Sequence, residues 1–195
     1  DAEGQVRYTH FGEGDYDVTE QAIRSLLDEA GSKGLGKDMT EVKAEVPSNV
    51  ETTPETYLGA ARAQRFANGQ ITTGTQNFGN KRGRLDLSEL RYGGRWRVTE
   101  DGATAAGPTS NLQLHFRAKK VFLVLGSTGN SPRTVRVLLD GKPVTATRAG
   151  SDVKNATATI KRQRLYRLIE LPRVGDHLLE LQPQAGVSGY AFTFG

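Results

Sequence analysis

The chain has 195 residues, 36% of them hydrophobic, and no cysteine, which excludes disulfide bonds, thiolate catalysis and cysteine-ligated metals. The formal net charge of +4 conceals a division, because residues 1–50 carry 5 basic and 11 acidic side chains whereas residues 51–195 carry 21 basic and 11 acidic. A reversal of that size predicts two units of different origin.

The first unit predicts one strand and one helix. After a turn at residues 1–4, residues 5–11 alternate in a pattern typical of a strand. Asp17 is a candidate N-cap of the helix, with Glu20 at the spacing of a capping box. Gly31 is placed to end the helix. The apolar stripe follows helical spacing and consists of Ile23, Leu26, Leu27 and Ala30.

One strand and one helix cannot bury enough surface to be stable alone. The stripe needs a sheet to cover, and the following residues do not supply one. We therefore expect this piece to pack on its own second unit, on another copy, or on a separate upstream segment. Residues 32–52 are dominated by Gly, Ser, Lys and Glu and are interrupted by Pro47, so they predict a linker.

From Thr53 onwards the pattern changes to short strands. A strand over residues 89–100 contains Gly93-Gly94 as a bulge or bend. The apolar run 121–125 is typical of a strand buried on both faces, and Asp140-Gly141 predicts a hairpin turn. The other predicted strands cover residues 112–116, 135–139, 156–160, 165–171, 177–182 and 189–194. This spacing predicts a mainly β fold, a jelly-roll or galactose-binding-like β-sandwich.

Two stretches resemble a known family. The turn, strand and helix of the first unit, with the Gly-Glu-Gly-Asp-Tyr run at 12–16, resemble the end of a periplasmic thioredoxin-like domain. The second unit resembles the C-terminal region of DipZ-type proteins, which are similar to thiol:disulfide interchange and cytochrome c biogenesis proteins. The matching residues are the Thr-Pro-Glu-Thr-Tyr-Leu-Gly run at 53–59, then Arg62, Phe66, Gly94-Arg95-Trp96, residues 122–126 and residues 189–195.

The resemblance implies a domain organisation. Residues 1–31 would be the C-terminal strand–helix remnant of a thioredoxin-like α/β domain, residues 32–52 a linker, and residues 53–195 a β-sandwich similar to carbohydrate-binding modules. It implies an extracytoplasmic or periplasmic location, a membrane-anchored parent and an upstream thioredoxin-like domain as partner. The family's paired cysteines would lie upstream of Asp1, so no catalytic residue transfers, and no cofactor is expected.

The first candidate ligand site combines aromatic rings with arginines. A sugar ring binds an aromatic face, while a few polar groups fix its hydroxyls. Tyr92, Arg95 and Trp96 are candidates, with Arg91 and Arg97 interleaved. The spacing also favours another interpretation, in which Trp96 belongs to the core and the arginines share the solvated face.

The second candidate site is Glu55, Tyr57 and Arg62. These residues flank a short run after Pro54 and lie outside regular alternation, so they are able to line a loop site. They are equally able to tie the linker to the sandwich through an ion pair and a buried ring.

Other chemistries have weaker support. The three histidines have no carboxylate at ligand spacing, so no metal site is predicted. The arginine-rich run at 91–97 is better explained by a β-protein surface than by a nucleic-acid partner. The basic second unit makes acidic partners possible but is better explained by a solvated surface. No apolar run of about 18 residues occurs, so no membrane insertion of this segment is predicted.

Three functions remain. The first is a binding module that localises a redox enzyme on a glycan or cell-wall polysaccharide. The second is a purely structural or self-association domain, including a homo-oligomer, with no glycan ligand. The third, glycan hydrolysis, has no pair of carboxylates that stands out. The first hypothesis is the prediction, and this chain is not expected to be an enzyme.

Overall fold

The computed structural model describes residues 1–9, 16–32, 36, 52–81, 83–129 and 131–195. The chain divides into two compact units, Asp1–Asn49 and Val50–Gly195. Each unit is described by itself.

The first unit contains the predicted helix, α1, at Tyr16–Glu29. Asp17 lies inside its first turn, so its assignment as the N-cap was wrong; there it still complements the helix dipole. Gly31 terminates the helix, as predicted. Gly31 has φ +77°, its amide donates to the Asp28 carbonyl at 2.9 Å, and the Ser32 amide donates to the Leu27 carbonyl at 3.0 Å.

The strand predicted at residues 5–11 is not formed over residues 5–9, and residues 10 and 11 lie outside the described residues. The physical reason is that a strand needs a ladder partner, and the described part of this unit offers none. Asp1 holds the segment instead, because its amino group donates to the Gln5 carbonyl and its carboxylate accepts the Gln5 amide. Arg7 forms ion pairs with Asp1 and Glu29.

The apolar stripe of α1 is left largely uncovered within this unit. Ile23 is 53% exposed and Leu27 38% exposed, and the helix has no buried residue. Most of the predicted linker, residues 32–52, lies outside the described residues.

The second unit is built from strands and one short 3-10 turn at Ala60–Arg62. Its described strands are β1 (Thr56–Tyr57), β2 (Gly74–Asn77), β3 (Leu90–Gly93), β4 (Arg95–Val98), β5 (Ala103–Ala105), β6 (Asn111–Ser127), β7 (Arg133–Leu139), β8 (Lys142–Pro143), β9 (Val153–Lys154), β10 (Thr157–Ile160), β11 (Arg164–Pro183) and β12 (Val187–Phe194).

These strands pair antiparallel as two sheets that share the long strands β6 and β11. The first half of β6 pairs with β3 and with the second half of β11, which continues through β7 to β10, β9 and β8. The second half of β6 pairs with the first half of β11 and with β12, which continues through β5 and β4 to β2 and also holds β1. Both long strands therefore pass from one sheet into the other.

The corner in β6 is visible in its burial pattern. Even-numbered side chains face inward as far as Ala118, and odd-numbered ones do so from Val121 onwards. The alternation therefore contains one extra residue, in the bulge formed by Lys119 and Lys120. The amides of both lysines donate to the Gly195 carbonyl, at 2.9 and 2.6 Å. In β11 the register against β6 shifts between Glu170 and Gly175.

The inner faces of the two sheets meet in one hydrophobic core. A void of about 10 Å³ in this core is lined from both sides, by Leu112, Val135 and Leu181 of one sheet and by Trp96, Leu123, Leu125 and Val187 of the other. The predicted mainly β class, with antiparallel strands packed as a β-sandwich, is confirmed.

Three local predictions need correction. The two strands at 165–171 and 177–182 are one continuous strand, β11. The run 121–125 is not buried on both faces, because Phe122 and Val124 are only half-buried. The strand predicted over 89–100 is two strands, and Gly94 between them sends β3 to one sheet and β4 to the other.

Gly94 should tolerate no side chain. It has φ +72°, and a Cβ atom there would lie 2.5 Å from the Thr109 carbonyl oxygen. Gly129 has the same φ and open space around it, so it is a matched control. We expect Gly129→Ala to lower the free energy of unfolding by about 1 kcal/mol and Gly94→Ala by about 2–4 kcal/mol, because overpacking adds to the strain. Denaturant unfolding measures both, and equal losses would contradict the assigned bend.

Candidate functional site

Tyr92 and Trp96, two of the predicted ligand residues, belong to the core. Tyr92 is fully buried on β3, and its hydroxyl donates to the Leu58 carbonyl at 2.7 Å. Burial raises the pKa of this phenol well above its ordinary value. Trp96 is 3% exposed on β4, and its indole N–H donates to the Gly93 carbonyl at 2.9 Å. Neither ring face is accessible, so their selection as ligand-stacking residues was wrong.

The three arginines around these rings do not share one face. Arg95 and Arg97 are exposed on β4, opposite the side of Trp96. Arg91 precedes the bend at Gly94 and is only 7% exposed. Its guanidinium donates to the Gly83 carbonyl at 3.0 Å and to the carbonyls of Lys81 and Arg84. Arg91 therefore holds the loop before β3, and it was wrongly predicted as solvated.

The second predicted cluster does come together, in what we name the Tyr57 cavity. It has a volume of about 100 Å³ and is lined by Glu55, Thr56, Tyr57, Arg62, Gln64 and Arg65. The Tyr57 hydroxyl donates to the Glu55 carboxylate at 2.5 Å. The guanidinium carbon of Arg62 lies 3.6 Å from the Tyr57 ring centroid, a cation–π contact. Tyr57 is half-buried, whereas Glu55 and Arg62 are exposed.

The electrostatics of this cluster centre on the Tyr57 phenol. Its hydrogen bond to Glu55 raises the pKa of Tyr57, and desolvation and the negative charge of Glu55 act in the same direction. The positive charge of Arg62 opposes them and lowers the pKa. The alternative interpretation of an ion pair and a buried ring does not describe the cluster, because Glu55 bonds to Tyr57 and the ring is not fully buried.

A second cavity adjoins the first and was missed by the sequence analysis. This cavity, which we name the Phe66 cavity, has a volume of about 370 Å³. It is lined by Ala60, Ala63, Gln64, Arg65, Phe66, Gly69, Gln70, Ile71 and Glu89. Gln64 and Arg65 line both cavities, so they form the ridge between them. No sequence period marks this segment, because it is neither helix nor regular strand.

Close packing at Gly59 sets the path of the segment that carries both cavities. A Cβ atom at Gly59 would lie 2.2 Å from the Glu100 carbonyl oxygen, so only glycine allows this approach. The turn that follows is tied to the same strand end, because the Ala60 amide donates to the Thr99 carbonyl at 2.9 Å. Further on, the Leu90 amide donates to the Arg65 carbonyl at 2.8 Å and fixes Arg65 beside β3.

No metal-binding geometry occurs in the described ranges, where no three His, Asp or Glu side chains gather as ligands would. His115 bonds to the Leu85 carbonyl and His177 to the Asp140 carboxylate, at 2.9 and 2.7 Å. The one helix of the described residues is too short and too polar to cross a bilayer.

Comparison of the sequence with known protein families places the second unit in a family. Residues 53–195 match the family described as thioredoxin-like C-terminal domain. Over 197 aligned residues the chain is 30% identical to Protein DipZ of Mycobacterium bovis and to Protein DipZ of Mycobacterium tuberculosis. The alignment takes in the whole chain but only 26% of each of those proteins.

The solved structures that align with the chain are more distant. Family two carbohydrate esterases from Cellvibrio japonicus and from Clostridium thermocellum, the latter in complex with cellohexaose, each align with a TM-score of 0.43. Their identities are 17% and 19%, and the alignments cover 55% and 54% of this chain and 30% and 31% of theirs. This likeness is too low to bear on function.

The Tyr57 phenol should respond in opposite directions to its two neighbours. We expect Glu55→Gln to lower the pKa of Tyr57 and Arg62→Gln to raise it, because the first removes a carboxylate acceptor and the second removes a nearby positive charge. Ultraviolet titration measures both, with Tyr57→Phe identifying which transition belongs to Tyr57.

The hydrogen bond from Tyr57 to Glu55 stabilises the fold only while the phenol is protonated. The contact favours the protonated phenol, so its contribution is present below the ordinary phenol pKa of about 10 and is lost as the pH rises through the raised value. Unchanged titration in both charge variants would show that the cluster does not form in solution.

Proposed function

Since this chain belongs to the thioredoxin-like C-terminal domain family, we propose that it is the non-catalytic accessory region of a DipZ-type thiol:disulfide oxidoreductase, with a β-sandwich that binds a glycan. Its relatives by name are DipZ proteins, of which it spans about a quarter. The parent would be extracytoplasmic and membrane-anchored and would act in cytochrome c biogenesis or redox homeostasis. The thiol chemistry would lie elsewhere in the parent, because a thiolate must attack and this chain has no cysteine.

The glycan proposal rests on the Tyr57 cavity. An aromatic ring, a carboxylate and a guanidinium converge there, around the short strand β1 and the turn that follows it, which are fixed by backbone hydrogen bonds. Such a combination suits a sugar, which offers an apolar ring face and hydroxyls that both donate and accept. The sandwich would hold the redox enzyme near a glycan or a cell-wall polysaccharide and would take no part in the electron transfer itself.

Titration of the chain with neutral oligosaccharides by calorimetry tests this function. We expect Tyr57→Ala to weaken binding by about 0.5–1.5 kcal/mol through loss of ring contact, and Tyr57→Phe to retain most of the affinity. Added salt should have little effect on a neutral ligand.

Two outcomes would contradict the proposal in different ways. Absence of binding to every neutral oligosaccharide would refute the glycan ligand. Reduction of insulin disulfides by the pure chain would refute the non-catalytic role.

The exposed apolar residues of the first unit favour a second role, association with another protein surface. Within the described residues, six of the eight large hydrophobic side chains that are exposed belong to residues 1–32: Val6, Tyr8, Tyr16, Val18, Ile23 and Leu27. Burial of such a side chain contributes about 1.5–3 kcal/mol. We infer that the side of α1 that carries Tyr16, Ile23 and Leu27 covers the upstream thioredoxin-like domain, and that in the isolated chain it promotes self-association.

Light scattering against concentration tests this second role. We expect the full chain to self-associate, whereas a fragment starting at Val50 stays folded and monomeric. The double substitution Ile23→Glu with Leu27→Glu should reduce association. Gln21→Glu with Ser25→Glu adds the same charge on the opposite side of α1 and is the control. A full chain that is monomeric at every concentration, or an unfolded fragment, would contradict this assignment.

A further inference from the structure

The Phe66 cavity is lined by one aromatic residue, Phe66, which is half-buried. Phe66 stacks on Tyr92, with ring centroids 5.0 Å apart and an interplanar angle of 22°. Tyr92 is fully buried, so the face of Phe66 that meets Tyr92 is covered by the core, while Phe66 itself is half-buried and lines the cavity. Tyr92 is itself fixed by its hydrogen bond to Leu58 and by its contact with Trp96, at 4.9 Å between centroids. The Phe66 ring is therefore held in place before any ligand arrives.

Polar side chains accompany this ring in the lining. Arg65, Gln64, Gln70 and Glu89 all line the cavity. One oxygen of Glu89 accepts the Asp86 amide at 2.9 Å, which orients the carboxylate. Arg65 and Glu89 both line this cavity and both lie in the part of the chain that the structure describes, yet they form no ion pair with each other. Each keeps hydrogen-bonding capacity for a third group.

Arg65 is held in an unfavourable backbone conformation. Its φ of +56° is uncommon for a residue with a side chain. Such strain persists only where the surrounding structure enforces it, and it is concentrated at functional sites. Here the bonds from the Leu90 amide to the Arg65 carbonyl and from the Ala67 amide to the Leu90 carbonyl, both 2.8 Å, enforce it. These bonds hold the Arg65 backbone on the ridge between the two cavities.

The lining specifies a chemical class of ligand. One cation and one carboxylate in the same cavity disfavour a polyanion and a polycation alike, because each would meet a like charge. Two amides and the Phe66 ring complete the match to a neutral ring with several hydroxyls. The volume of about 370 Å³ is at the lower end of small-ligand sites. The Tyr57 cavity adjoins it, so a linear ligand is able to occupy both.

We propose that the Phe66 cavity is the principal sugar subsite of this domain, in which the outer face of Phe66 stacks a pyranose ring of a neutral oligosaccharide and Arg65 and Glu89 bond its hydroxyls. The adjoining Tyr57 cavity holds the next ring. This inference rests on the proposed glycan-binding function and assigns it a subsite and a ligand class.

Calorimetric titration of the full chain tests the subsite. The neutral probes are chitohexaose, xylohexaose and mannohexaose, and an oligogalacturonate of the same length is the acidic probe. Arg65→Asn removes the guanidinium and keeps a residue that tolerates positive φ. Phe66→Leu keeps apolar volume against Tyr92 and removes the ring face. Gln70→Ala alters an exposed side chain of the lining. Arg162→Asn changes an exposed arginine outside both cavities and is the matched control.

We expect at least one neutral probe to bind, with affinity that salt does not change. Arg65→Asn should weaken binding by about 10-fold or more, and Phe66→Leu by about 2- to 12-fold. Gln70→Ala should weaken it by a smaller factor, and Arg162→Asn should leave it unchanged. Thermal unfolding of each variant confirms that the fold is retained.

Three other outcomes would each refute a different part of the proposal. A neutral probe that binds all three cavity variants with full affinity removes the subsite and leaves the glycan function standing. Preference for the acidic probe, with affinity that falls as salt rises, refutes the neutral class. No binding of any probe refutes the proposed function, and the subsite with it.

Discussion

Two strands that each belong to both sheets are the constraint on which the sandwich depends. β6 and β11 contain 17 and 20 residues, far above the usual strand length of about 5–6. A strand that crosses from one sheet to the other must bend, and in β6 the bend lies at Lys119 and Lys120, where one extra residue interrupts the alternation. The Gly195 carbonyl accepts both amides there, so the last residue of the chain closes the corner that joins the sheets.

The same corner also sets the start of the segment that carries the cavities. Thr53 is 3% exposed; its amide donates to the Arg117 carbonyl, and its hydroxyl accepts the Arg117 amide, both at 2.8 Å. After Thr53 the chain pairs with β12 through β1, and Gly59 then packs closely against the backbone at Glu100. The chain next reaches β3, where the Leu90 amide donates to the Arg65 carbonyl. The cavities are therefore carried by irregular backbone that is fixed at both ends by regular sheet. This is the usual arrangement of a binding loop on a rigid scaffold.

Local chemistry made much of the fold predictable from sequence, and long-range geometry made the rest unpredictable. The helical period of α1, the glycine at Gly31 and the Asp140-Gly141 turn each depend on neighbouring residues, and the structure contains all three. The two-residue period turns Trp96 inward but wrongly turns Arg91 outward, because a period does not register the change of sheet at Gly94. Phe66 was missed as a site residue for a similar reason: its ring is positioned by stacking on Tyr92, 26 positions away in the chain.

The most direct test of the account is to locate a bound neutral oligosaccharide on the folded chain. Amide chemical shifts of the ¹⁵N-labelled chain, followed during titration with chitohexaose, xylohexaose or mannohexaose, report where the ligand lies. We expect the largest shifts within residues 55–71 and at Glu89, with the strands β7 and β10 unaffected. Largest shifts on the outward-facing residues of β7, β10 and β11 would show that the glycan binds a sheet face, and would contradict the assignment of the ligand to the Tyr57 and Phe66 cavities.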